Sequence, residues 1–411
     1  MLFILLSCNA MEKTNAHKTA KQILGNSDFQ AMSYGGYRSA SRKVQPSVAQ
    51  IKEDLKILAA MNLKVIRTYN VHLPEARNIV RAIHELSSED SNFEMYVMLG
   101  AWIDCKNAWT GLEPDHTQES ERNATEIKLA VDLAKQYPEI IKIIAVGNEA
   151  MVKWAAAYYV QPAVILKWVN YLQDLKKNGE LSKDLWITSS DNFASWGGGS
   201  EEYHTEDLVK LMNAVDYLSI HTYPMHDTHY NPAFWGVKKT ESGESKEKQI
   251  EKAMLRSLGY AKSQYKAVKQ YMQRIGITKP VHIGETGWAS YSNELYGNAG
   301  SKAVDEYKAG IYYQMMRKWT EENQISCFFF EAFDEPWKDA ENPGGSENHF
   351  GLFTVDGQAK FAIWNLVDQG KFKGLSRDNN LVEKTHHGNV QNLLNSVELP
   401  PVKESDLQMH Q

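Results

Sequence analysis

With 411 residues, 43% of them hydrophobic and 23% charged, the chain can bury a large core. Only 26 glycines and 12 prolines exclude collagen-like and low-complexity classes. A net charge of −6 without a basic stripe argues against nucleic acid as a partner. Three cysteines, Cys8, Cys105 and Cys327, cannot build a disulfide framework.

The chain opens on LFILL (2–6), Ser7 and Cys8. The run is too short to cross a bilayer, which takes about 20 apolar residues. It resembles the end of a bacterial lipoprotein signal without its basic n-region. That implies a lipid on Cys8, attachment to a bacterial envelope and a polar tether up to residue 24. The expected organisation is 1–24 signal remnant and tether, 25–371 catalytic domain, 372–411 polar extension along the surface.

Between these ends a pattern recurs: a short apolar run, a polar and aromatic loop, then a helix-period segment. The runs are 29–35, 64–69, 95–101, 140–146, 185–189, 215–220, 281–284 and 326–330. A helix is expected from Ser47, where Ser47 and Gln50 form a capping box ahead of Val48, Ile51, Leu55 and Leu58. Others are expected from near Leu73, over about 119–136, along the Ile165, Trp168, Val169, Leu172, Leu175 stripe with Asn178-Gly179 as its stop, and over about 247–275 and 303–322. Strands alternating with amphipathic helices imply a parallel sheet. Eight units without a Gly-rich phosphate loop favour a closed (β/α)8 TIM barrel as a single catalytic domain over an open doubly wound sheet.

Barrel active sites form at the C-terminal ends of the strands. Those ends carry Tyr34, Arg67-Thr68-Tyr69, Trp102, Asn148-Glu149, Ser190-Asp191-Asn192, His221-Thr222-Tyr223, Glu285 to Trp288, Glu331 and Asp334-Glu335. Two carboxylates facing each other across a barrel mouth suit glycoside hydrolysis: one protonated to assist the leaving oxygen, one ionised to attack. Either glutamate alone can equally cap a helix or hold an arginine, and the residues alone do not say which is acid and which is nucleophile.

IAVGNEA (144–150) and IGETGWAS (283–290), supported by SYGGYR (33–38), VIRTYN (65–70), SIHTYP (219–224) and FEAFDEPWK (330–338), resemble glycoside hydrolase family 17, the β-1,3-glucanases and their transglycosylating relatives. The resemblance covers roughly residues 28–360. It implies a retaining mechanism with Glu149 as general acid/base and Glu285 as nucleophile, the carboxyls roughly 5–5.5 Å apart. It implies Asn148 on the sugar 2-hydroxyl, Tyr223 on the nucleophile, Arg67 as a cation beside it, and Tyr34, Glu335 and Lys338 in the cleft. Ala289 replaces a proline frequent among relatives. No metal, cofactor or protein partner is implied. The expected activity is an endo-β-1,3-glucanase on laminarin-type glucan; the alternatives are a β-1,3-glucanosyltransferase and a non-catalytic glucan-binding protein.

Trp288 is expected to floor the sugar site, and two or three of Trp102, Trp154, Trp196, Trp235 and Trp337 to stack on glucan. His221, His226, Asp227 and His229 lack a regular metal-ligand spacing. The insert at about 225–246 and the loop 339–349 are expected to wall one end of the cleft.

Overall fold

The structure is a computed structural model that describes residues 18–403. Cys8, its expected lipid and most of the expected tether lie outside the described residues. Eight strands form the barrel: β1 Gln30–Ser33, β2 Leu63–Arg67, β3 Tyr96–Ala101, β4 Ile141–Asn148, β5 Trp186–Asn192, β6 Leu218–His221, β7 Val281–Gly287 and β8 Cys327–Phe330. Each pairs in parallel with its sequence neighbour, and β8 pairs with β1, so the sheet closes. The expected (β/α)8 barrel is therefore present, with one strand in every apolar run.

The connecting helices are α1 Val48–Ala60, α2 Pro74–Glu89, α3 Arg122–Gln136, α4 Pro162–Lys177, α5 Glu206–Ala214, α6 Lys246–Arg274 and α7 Glu306–Glu322. Local sequence explains their ends. Ser47 Oγ accepts from Gln50 N at 3.2 Å while Gln50 Oε1 accepts from Ser47 N at 3.1 Å, the expected reciprocal cap. Proline stands in the first turn of α2 and α4. Past α4, Gly179 adopts φ +78°, a left-handed conformation that stops the helix. The stripe Ile165, Val169, Leu172, Leu175 faces inward.

Three features depart from the sequence reading. Residues 18–24 are no tether. Thr19 caps a short helix, Ala20–Ile23, whose apolar residues join Phe29, Ala31, Val65, Met98, Ile143 and Phe328 in a cluster separate from the larger core around the helices. Residues 115–119 are a strand ahead of α3: Cys105–Lys106 and Asp115–Glu119 form an antiparallel hairpin inserted after β3. The polar run DHTQE hid it, because an exposed strand has no apolar face to show.

The extension from 372 is more than a surface strap. Phe372, Val382, Leu393 and Val397 are buried, and Val402–Lys403 pair with Val237–Lys238. Arg377 reaches fully buried Asp54 of α1, with Nε at 2.9 Å. Arg38 Nη2 joins the same carboxylate at 2.8 Å and Tyr34 Oη donates to it at 2.9 Å.

Candidate active site

The fold brings Glu149 and Glu285 into one cleft of about 790 Å³. Both follow glycines that permit unusual backbone. Gly147 has φ +82° and Glu149 itself φ +46°, and the β4–β5 register shifts between Ala145 and Asn148. Such irregularities re-aim a side chain at a strand end. Before Glu285, a Cβ on Gly284 would lie 2.0 Å from Ser219 Oγ and 2.4 Å from Ser190 Oγ, so only glycine fits the barrel interior there. The β6–β7 register shifts between Ile283 and Glu285.

Every oxygen of Glu285 is held. Tyr223 Oη donates to Oε1 at 2.7 Å, Tyr69 Oη to Oε2 at 2.7 Å, and Arg67 Nη1 to Oε2 at 2.9 Å. Burial alone would raise this carboxyl, but the surrounding positive charge and the two phenol donors outweigh it and hold Glu285 below the usual range. Burial and the Glu285 charge keep both tyrosines protonated. Buried Arg67 also donates to the Gly284 carbonyl at 2.6 Å and to Asn148 Oδ1 at 2.5 Å. The remaining donor of Asn148, its amide N–H2, is the part available to a ligand.

Glu149 is in the opposite electrostatic state. Burial, then the negative charge of Glu285, push it well above the usual carboxylate range. Its Oε1 lies 3.1 Å from His221 Nδ1. Burial pushes His221 down to about 4, so it is neutral at pH 7. His221 Nε2 faces Arg67 Nη1 at 3.2 Å and Ser190 Oγ at 2.8 Å. A guanidinium only donates, so Nε2 accepts and Nδ1–H donates to Glu149. A neutral histidine of fixed tautomer thus orients Glu149 without cancelling its raised affinity for a proton. Asp191 accepts from Met151 N at 2.7 Å and pins the chain just past Glu149.

Among the other expected site residues, Glu335 and Lys338 line the cleft. Glu335 accepts from Tyr37 N at 3.1 Å and from Trp337 Nε1 at 2.9 Å, which fixes two aromatic walls. Lys338 Nζ donates to buried Glu331 at 2.6 Å and lies 3.8 Å from the Phe330 ring centroid.

Tyr34 is a correction. It is 1% exposed and its hydroxyl is bound to Asp54, so it is core beneath the cleft; only its neighbour Gly35 reaches the wall. Trp288 is a second correction. It is 1% exposed, its indole N–H donates to the Ala303 carbonyl at 2.9 Å, and it packs on Trp235 and Tyr312. The residue after Thr286-Gly287 points away from the barrel mouth, where its large ring fills space between β7 and α7.

Of the five loop tryptophans, Trp102 and Trp337 line the cleft. Trp196 and Trp235 are buried, with indoles bound to the Ser219 and Ser301 carbonyls, and Trp154 is 63% exposed and outside the lining. The loop 339–349 contributes Glu347 to the lining, whereas the insert 225–246 contributes nothing.

His226 stacks on Tyr223 at 5.1 Å. Among the described residues, no three or more His, Cys, Asp or Glu side chains converge to hold a metal ion. The sequence reading counted Tyr69 among the strand-end residues but gave it no role. It read His221 only as a neighbour of Tyr223, and it left out Trp109 and Glu126, which lie in or beside the unseen hairpin.

Residues 31–351 match the BtgE/BtgC glycoside hydrolase domain. An endo-laminarinase from Formosa Hel1_33_131 is 64% identical and superposes with a TM-score of 0.94 over 96% of this chain and 100% of the neighbour. A probable glucan endo-1,3-β-glucosidase btgC from Aspergillus flavus is 26% identical over 334 residues, 77% of this chain and 41% of the relative, so the chain spans about two fifths of that relative's length. A β-1,3-glucanosyltransferase from Rhizomucor miehei, 20% identical with a TM-score of 0.54 over 80% of this chain and 94% of its own, shares the fold. By the domain match and the Formosa neighbour, the chain belongs to the BtgE/BtgC glycoside hydrolase family, among the β-1,3-glucanases of the family 17 type.

Proposed function

We propose that the protein is a retaining endo-β-1,3-glucanase acting on laminarin-type glucan. The observation that carries this reading is the pair of unlike carboxyls in one cleft, Glu149 raised and Glu285 lowered. The 64% identical endo-laminarinase supports the substrate class.

In the first step Glu149 gives its proton to the glycosidic oxygen while Glu285 attacks the anomeric carbon. The bond to the leaving chain breaks, and a glucosyl ester forms on Glu285. Tyr69, Tyr223 and Arg67 keep Glu285 ionised and aimed, and the Asn148 amide donates to the 2-hydroxyl. In the second step Glu149, now a carboxylate held by His221 Nδ1–H, takes a proton from water. The hydroxide attacks the same carbon and Glu285 leaves, with net retention.

The test is reducing-sugar release from laminarin, with chromatography of the products from laminari-oligosaccharides. Shorter products confirm hydrolysis; products longer than the substrate would move the reading to a transferase. The pH profile of kcat/KM is expected to be a bell. Activity needs Glu149 protonated, so it falls as pH rises through a pKa above the ordinary glutamate value. It needs Glu285 ionised, so it falls as pH drops through a pKa below that value. A profile measured on Glu149→Gln should lose the basic limb and keep the acidic one.

Envelope attachment through a lipid on Cys8 belongs to the same proposal. Palmitate label should enter the protein in a bacterial host and vanish in Cys8→Ala; an unlabelled parent protein would refute it.

A further inference from the structure

The hairpin Cys105–Lys106/Asp115–Glu119 is inserted directly after β3 and turns toward the cleft. Trp109 sits in its connection, 57% exposed, with φ +61°. A left-handed backbone is costly for a bulky residue. The Trp109 ring stacks on Tyr158 at 5.1 Å and 24°, and Tyr158 packs on Trp102 at 5.2 Å. Trp102 and Trp109 line the same cleft as Glu149 and Glu285.

Polar groups line the same wall. Asp104 is 2% exposed, and its Oδ2 accepts from Arg122 Nη2 at 2.8 Å. Its Oδ1 is buried and has no hydrogen-bond partner. The Ser120 hydroxyl and the indole N–H groups of Trp102 and Trp109 also face this carboxylate. Asn123 braces the hairpin by donating from Nδ2 to the Asp104 carbonyl at 2.9 Å, and Glu126 holds Trp102 N at 3.0 Å, so the wall is preformed. Asp104 and Arg122 offset each other's charge, which suits a neutral ligand.

From this we infer that the hairpin carries a glucosyl-binding subsite in the cleft wall, separate from the catalytic glutamates. One pyranose ring of the glucan lies on the Trp102–Trp109 aromatic surface, with Arg122 at its edge. The inference rests on the β-1,3-glucan reading above and adds to it a recognition element that the catalytic glutamates do not supply.

The test measures kcat and KM on laminaritriose through laminariheptaose for the wild type, Trp109→Ala and Trp154→Ala. Trp109 is exposed, so its replacement leaves the core intact, which Tm checks. Stacking of this kind corresponds to about a 10-fold change in binding. For Trp109→Ala we expect KM to rise about 10-fold on the longer substrates, less on the trisaccharide, with a smaller change in kcat. The exposed Trp154 lies off the cleft, and Trp154→Ala should match the wild type. As a second readout, laminarihexaose binding to Glu285→Gln, followed by tryptophan fluorescence, should weaken about 10-fold when Trp109→Ala is added. Equal KM for wild type and Trp109→Ala at every length, with the wild type active, would overturn the subsite alone. A wild type inert on all these oligosaccharides would overturn the glucanase reading and the subsite with it.

Discussion

Replacing Glu285 by Ala should lower laminarin hydrolysis by at least about 10⁴-fold, the scale on which a covalent nucleophile acts. Replacing Glu149 by Ala should cost about 10²–10⁴-fold, the worth of general acid–base assistance. The two losses should differ in kind. An aryl laminari-oligosaccharide with an acidic phenol needs little protonation to leave. Its glycosylation step should survive in Glu149→Ala and fail in Glu285→Ala. Added azide then separates the roles. In Glu149→Ala it attacks the glucosyl ester from the face that water would use, and the product is the β-azide. In Glu285→Ala it fills the space of the lost carboxylate and attacks from the opposite face, and the product is the α-azide. Kinetics with and without azide, and NMR of the glycosyl azides, read both outcomes. The β-azide from Glu285→Ala would exchange the assignments. The hydrogen bonds argue against that exchange: three donors converge on Glu285 and a single neutral imidazole touches Glu149.

The largest expected effect on stability lies below the cleft, at Asp54. Its carboxylate is fully buried and binds Arg377, Arg38 and Tyr34. Asp54→Ala removes the one group these residues share and leaves Arg377 buried without its anion. Breaking a buried ion pair from one side costs about 3–5 kcal/mol. Thermal unfolding followed by circular dichroism should show a clearly lower Tm. Because Arg377 belongs to the C-terminal extension, limited proteolysis should also release segments beyond residue 372 earlier in Asp54→Ala than in the wild type. The double variant Asp54→Leu/Arg377→Met, which replaces the pair by apolar groups, should recover part of the loss. An Asp54→Ala protein as stable as the wild type would show that the extension is held by its apolar contacts alone.

Strand order and the paired glutamates were legible because buried parallel strands are continuous apolar runs, and the residues after such runs must face the barrel mouth. IAVGNEA and VHIGETG therefore announced both the strands and what stands at their ends. The glycines before each glutamate carried a second signal, that of close approach and a bent backbone. Side-chain direction beyond the strand end was not legible. Trp288 and Tyr34 stand next to functional positions, yet their side chains point into the core. A register shift in β7 between Ile283 and Glu285 precedes Trp288, and sequence spacing does not encode it.

The hairpin after β3 was hidden for a related reason. Its strands are short and polar and gain little from burial. With it went the role of Trp109. Helix α5, nine residues with Leu208, Leu211 and Met212 buried, is too short for its period to stand out against the loops around it. Asp54 and Arg377 are far apart in the chain, and nothing local to either foretells an ion pair between them.

The central claim is that Glu285 carries the sugar between the two steps. The direct measurement is mass spectrometry of the wild-type protein after reaction with a 2,4-dinitrophenyl 2-deoxy-2-fluoro-β-laminaribioside. The fluorine slows both steps, and the acidic phenol restores the first, so the ester accumulates. The account predicts a mass gain of one fluorolaminaribiosyl group, on the peptide that contains Glu285, released by an acceptor sugar. An adduct on Glu149 or on another carboxylate, or turnover to the α-anomer without any adduct, would contradict it.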